Sequence, residues 1–260
     1  MARRLLPRRI GSEETAELAD HLGELRDRLA VCLVAFVPAF AAAFALHGRL
    51  IELLTRPLPD DKRLVTLGVT EPFTTSVKVS LCAAVALVLP VILWQLWAFL
   101  APAASGHTRA TLGAFAALAT TLFALGVVFA YVVVLPKALA FLVGFDDRLY
   151  EVQIRASYYY GFVSLTLLAV GLAFQLPIAV LALTRLGVLS SRTLRRNRRT
   201  AYVVLVACAI LLPTVDPVSL AFEVVPLLVL FELSVVLAAL LERRWHAMPI
   251  PRWERQRLTR

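Results

Sequence analysis

Polar and apolar residues fall in long alternating blocks along the chain. Six apolar runs cover residues 29–46, 77–100, 111–135, 158–183, 201–213 and 218–241. A helix of about 20 apolar residues matches a hydrocarbon core ~30 Å thick, so each run is read as a membrane-spanning helix. The fifth is short: its 13 residues rise only about 20 Å as a helix. It is followed by the turn Thr214-Val215-Asp216-Pro217 and a full-length run, which predicts a short helical hairpin of spans five and six. Such a hairpin thins the bilayer beside it or leans on neighbouring helices. The predicted organisation is a basic arm with an acidic-striped amphipathic helix over 1–28, a membrane domain over 29–241 and a basic tail over 242–260.

Pro38, Pro90, Pro177 and Pro226 lie inside four of the runs. Each removes a backbone donor and bends its helix, and neighbouring helices can take up the freed carbonyl. The expected fold class is therefore an all-α integral membrane protein with six transmembrane helices in a curved, concave bundle. The plainer account of the prolines is that membrane helices simply tolerate them.

Composition sharpens this picture. Of 260 residues, 60% are hydrophobic and 17% charged, against about 45–50% and 25% in soluble domains, which excludes a soluble, disordered or disulfide-knit chain. The net charge of +9 is read as orientation and not as a nucleic-acid footprint. Lys and Arg number 19 on the face holding both termini and seven on the other, with Lys78 at the mouth of span two. The positive-inside rule places both termini in the cytoplasm. Trp94, Trp97 and Phe99 then fall at the cytoplasmic end of span two, and Tyr131, Tyr150 and Tyr158 to Tyr160 toward the outside. Six acids among the leading 28 residues argue against a cleavable signal or transit peptide. Cys32, Cys82 and Cys208 lie in separate runs, and no metal, nucleotide or nucleophile motif occurs; neither an enzyme nor a cofactor is expected.

The N-terminal helix carries two stripes. Leu18, Leu22, Leu25 and Leu29 form an apolar one, and Glu17, Asp20, Glu24 and Asp27 a wholly acidic one. On a cytoplasmic face otherwise almost entirely basic, the acidic stripe is a candidate site for a basic ligand, since guanidinium pairs bidentately with carboxylate. The alternative is that these acids pair with Arg26 and Arg28 and solvate the helix. At membrane depth the polar groups are Gln95, Gln175, Glu223 and Glu232. Such groups usually face a bundle interior or cavity. For Glu232 an interhelical bond and a polar binding spot are equally open. Glu223 stands shallow enough to reach outside water, and the bend at Pro177 offers a carbonyl to the Gln175 amide.

Three stretches carry a family resemblance: His21-Leu22-Gly23-Glu24-Leu25-Arg26-Asp27-Arg28-Leu29; Glu71-Pro72-Phe73 through Lys78 to Leu89-Pro90-Val91 and Gln95-Leu96-Trp97-Ala98-Phe99-Leu100-Ala101-Pro102; and Gly171, Phe174-Gln175-Leu176-Pro177 and Arg198-Arg199 with Asp216-Pro217-Val218-Ser219, Pro226 and Phe231-Glu232. In these the chain resembles the TatC family, the signal-receptor subunits of the Sec-independent (twin-arginine) protein translocase. The resemblance implies a receptor in a bacterial or archaeal cytoplasmic membrane that binds Arg-Arg signal peptides of folded cargo for export driven by the proton gradient. It implies TatA- and TatB-like single-span partners and a homo-oligomer within the receptor complex. By position, Glu24 would hold the twin arginines with Arg26, Phe99 and the neighbouring Asp20 and Asp27. Gln175 would be the polar residue of the concave face. The fifth–sixth hairpin, with Asp216, Ser219, Glu223 and Glu232, would dock partners.

Two positions depart from the family pattern. Thr108 stands in the first cytoplasmic loop where the family usually has a carboxylate, and Leu220 where Gln is common. These leave room for a diverged paralogue with altered cargo or partners. A small-solute secondary transporter is the rival of another class, but its paired broken helices and midplane charges are not evident.

Overall fold

A computed structural model describes residues 12–59, 62–100, 109–145, 153–185, 189–210 and 217–246; for 12–21, 100, 109–112, 191, 217–219 and 241–246 it describes the backbone only. The helices are α1 (Ser12–Ala45), α2 (His47–Thr55), α3 (Glu71–Leu100), α4 (Arg109–Phe129), α5 (Leu135–Gly144), α6 (Ala156–Ala173), α7 (Leu176–Arg185), α8 (Ser191–Arg196), α9 (Arg198–Ile210) and α10 (Pro217–His246). A π-helical turn, Ala130–Val134, joins α4 to α5. Two strands of two residues, β1 (Leu64–Val65) and β2 (Ile154–Arg155), pair in parallel.

Among the described residues, five helical stretches are long and apolar enough to cross a membrane, and they coincide with all the predicted spans except the fifth. The fifth corresponds to α9, again of 13 residues. Its antiparallel contact with α10 is direct: Tyr202 packs edge-on against Phe231, with ring centroids 5.9 Å apart. The turn between them, including Asp216, lies outside the described residues.

Two boundaries differ from the sequence expectation. The third span does not stop at residue 135 but runs on to Gly144. The π turn just before Pro136 moves the ladder by one residue: the Leu135 N–H reaches the Ala130 carbonyl, five back. Pro136 then begins α5, where its missing donor costs nothing. The fourth span is broken at Phe174 and Gln175, between α6 and α7. Pro177 thus stands in the first turn of α7 and starts a helix instead of bending one.

α3 is the central helix, packed by α1, α2, α4 and α6; α10 lies against α7, α8 and α9. α1 sits at the margin with α3 as its main neighbour, and Leu25, Leu29, Leu33, Val34 and Val37 along it are exposed. α4 and α6 cross closely at two glycines. A Cβ at Gly126 would fall 2.9 Å from the Gly171 Cα and 2.8 Å from the Phe174 ring. Backbone cannot retreat as a flexible side chain can, and overpacking costs about 1–3 kcal/mol. Gly126→Ala is accordingly expected to lower the thermal midpoint of the detergent-solubilised protein by about 3–10 °C; an unchanged midpoint would show that the crossing has slack.

One end of the bundle is heavily tied. α2 turns in after α1 and buries Leu54, with Leu58 just beyond it, against Val79, Leu135, Leu139, Tyr159, Tyr160 and Val163. Tyr131 and Tyr159 donate to the carbonyls of Leu53 and Leu54 at 2.9 and 2.8 Å. Thr55 and Tyr160 share a hydrogen bond of 2.8 Å. Glu71, at the head of α3 and ahead of its apolar run, is only 4% exposed. One carboxylate oxygen accepts from Arg155 Nε at 2.9 Å and the Ser157 N–H at 3.1 Å; the other accepts from the N–H groups of Leu67 and Gly68 at 2.9 and 3.2 Å. A buried charge is tolerable only when so fully matched. The Arg155 guanidinium, aided by these donors, holds the Glu71 carboxyl well below the usual carboxylate range.

Candidate functional site: the junction of α1 and α3

The opposite end is built differently. Ser12 starts α1, and Glu24 and Arg28 follow one turn apart on one face, the spacing at which acid and base meet. Arg28 Nε lies 3.0 Å from Glu24 Oε1, and Arg28 Nη2 donates to the same oxygen. The guanidinium also reaches across to the last turns of α3: Nη1 donates to Gln95 Oε1 at 3.1 Å and Nη2 to the Ala98 carbonyl at 3.2 Å. Phe99, half-buried, is the next residue. Glu24 and Arg28 are 36% and 23% exposed in their side chains, so water screens the pair only in part.

This end is shared by several helices. Trp97 of α3 packs at a tilt on Phe115 near the start of α4, with ring centroids 5.1 Å apart, and Arg185 at the end of α7 lies over that same ring at 5.6 Å. Leu194 of α8 is buried with Val180, Leu205, Phe231 and Val235. It thereby anchors a short helix whose Arg192, Arg195 and Arg196 point outward.

Residues 20–226 match the family profile described as Sec-independent protein translocase protein (TatC). The chain belongs to the TatC family. Among curated TatC proteins it is 37% identical to that of Deinococcus radiodurans, over 86% of each chain. It is 35% identical to that of Aquifex aeolicus, over 87% of this chain and 96% of the relative. A crystal structure of the twin-arginine translocase receptor TatC in detergent superposes with a TM-score of 0.76 at 33% identity, covering 84% of this chain and 99% of the other. TatC is a six-helix membrane fold, and the short α9 is the helix that length alone does not identify as a span.

Within this TatC fold the anticipated residues separate. Glu24 meets the end of α3 beside Phe99, through Arg28. Arg26 and Asp27 pair with each other at 3.1 Å on the open surface, 82% and 73% exposed, and such pairs contribute little. Asp20 lies on α1 with its side chain outside the described residues, and Thr108 is outside them altogether. Gln175 stands at the α6–α7 break. Its amide does not take up a carbonyl freed by Pro177; it donates to the Ala119 carbonyl of α4 at 3.0 Å, and its own oxygen is buried without a partner among the described residues. Glu232 accepts from Tyr202 and pairs with Arg198 at 3.0 Å, both at the start of α9. Glu223 is 3% exposed, turned from the water that its position in the sequence suggested. Ser219 lies in the first turn of α10, its side chain outside the described residues.

Tyr202 was not singled out by the sequence reading, and neither was the Glu71–Arg155 pair; Arg198 was visible only within the Arg198-Arg199 motif of the resemblance. Arg28 was visible as part of the first family stretch and as a neutralising neighbour, and the spacing of Glu24 and Arg28 announces a helical pair. Among the described residues no group of three His, Cys, Asp or Glu side chains could hold a metal.

Proposed function

We propose that the chain is the signal-peptide receptor and core subunit of a twin-arginine protein translocase, with both termini in the cytoplasm. The observation that carries this reading is the placement of Glu24, a member of the acidic stripe of α1, at the junction of α1 with the Phe99 end of α3. A carboxylate there can take a guanidinium in a charge-assisted fork, and the ring beside it can cover the arginine's alkyl stem. The gathering of Arg28, Arg185 and the arginines of α8 at this same end supports its being cytoplasmic. The chemistry is binding without covalent steps. The apolar stretch of the signal packs along the bundle, Gln175 offers the polar contact within it, and the α9–α10 edge with Asp216, Ser219, Glu223 and Glu232 receives TatA- and TatB-like single-span subunits. Further copies of the chain join the receptor complex in the cytoplasmic membrane.

The test is export of a folded reporter bearing a twin-arginine signal, in cells whose own TatC is deleted and replaced by this chain with its own small partners. Export is expected, and Thr108→Glu should raise it by restoring the carboxylate that the family usually carries at this position. A correctly inserted wild-type chain that exports nothing would overturn the reading.

A further inference from the structure

We infer that Arg28 is an internal stand-in for the arginine of the signal peptide, occupying Glu24 at rest and surrendering it on binding. This rests on the reading of Glu24 as the docking carboxylate. A guanidinium already sits on the carboxylate that an incoming arginine would use, with Nε and Nη2 both donating to Glu24 Oε1. Leaving a half-buried carboxylate would strand most arginines. Arg28 has other acceptors within reach, for Gln95 Oε1 and the Ala98 carbonyl already hold its Nη1 and Nη2. The exchange therefore replaces one guanidinium by another on Glu24 and leaves the displaced one hydrogen-bonded to α3. Because Glu24 and Arg28 both belong to α1, the exchange leaves the hydrogen bonds between α1 and the last turns of α3 in place.

An internal competitor has a definite thermodynamic signature. It lowers the apparent affinity of every ligand of Glu24 by the same factor, that of the unoccupied fraction. It sets a threshold that weak ligands fail to reach, without altering the intrinsic preference between arginine and lysine. Arg28 is thus a positioning residue that tunes the threshold.

The experiment is titration of the full-length, detergent-solubilised protein with a fluorescent twin-arginine signal peptide and its twin-lysine counterpart. Arg28→Gln, which stays polar but takes the guanidinium off Glu24, is expected to tighten both peptides by about fivefold, about 1 kcal/mol at 25 °C. The gain should vanish in the Glu24→Gln background, since only competition for that carboxylate is non-additive in this way. A general charge effect would persist there and would overturn the inference. Arg28→Lys, which preserves charge and most of the packing, should gain less than Arg28→Gln and guards against a folding defect. If Glu24→Gln weakens twin-arginine binding while Arg28→Gln brings no gain, the exchange is wrong and the receptor reading stands. If Glu24→Gln leaves binding unchanged, both fall.

Discussion

Glu24→Ala is expected to weaken binding of a twin-arginine signal peptide by about 10- to 30-fold, and binding of the twin-lysine peptide far less. Truncating one partner of a desolvated charge pair costs about 2–5 kcal/mol, and Glu24, one-third exposed in its side chain, belongs at or below the low end of that range. The difference between the peptides follows from geometry. Guanidinium meets a carboxylate through two parallel bonds, whereas ammonium is a point charge. Added salt should erode the wild-type affinity, because exposed charges are screened within ~10 Å at 0.1 M, and should erode the variant's less. The fold should survive, since Arg28 retains Gln95 and the Ala98 carbonyl. Equal losses for both peptides would remove Glu24 from the docking role.

The largest loss of stability is expected from Glu71→Ala at the other end. That carboxylate gathers four donors from three segments: the loop before α3, the end of β2 and the start of α6. Its removal leaves Arg155 and three backbone N–H groups without their acceptor, and removing one partner of a buried pair is among the costliest single changes. A fall of about 10 °C in the thermal midpoint is anticipated. Arg155→Ala should cost less, since Glu71 would keep its backbone donors. The pH dependence has a definite sign. A carboxyl whose pKa is lowered by folding contributes stability that is complete above its unfolded value of about 4.3 and fades as pH falls toward the folded one. The gap between wild type and Glu71→Gln should therefore be constant from neutral pH to about pH 5 and close only in stronger acid. A gap that closes at neutral pH would contradict this arrangement.

The spans were legible because burial in lipid imposes long, uniform apolar runs, and even the short fifth helix announced its length. What escaped the sequence reading was whatever depended on contacts between distant segments. α2 is nine residues long and draws its stability from three tyrosines supplied by other helices. Glu71 and Arg155 are 84 positions apart, and no local period connects them. Pro136 and Pro177 have the same sequence appearance as the other prolines, yet each begins a helix, because a π turn in one case and a break in the other precede it. At the candidate site, Glu24 was legible from its acidic stripe and from the family motif. Its partner on α3 was not, for Gln95 and Ala98 become acceptors only once α1 crosses α3 at that height.

The marginal position of α1 also bears on how the sequence can change over generations. In its apolar window 6% of the residues are buried by the protein, against 44% in the window spanning α6 and α7. Exchange of one aliphatic residue for another along α1 meets lipid tails, which adapt to any shape, so drift there is nearly neutral as long as hydrophobicity holds. The same exchange in α6 or α7 meets neighbours packed at fixed positions. Sequences descending from this one should therefore diverge fastest along the body of α1, while its N-terminal part, which carries Glu24 and Arg28, stays fixed.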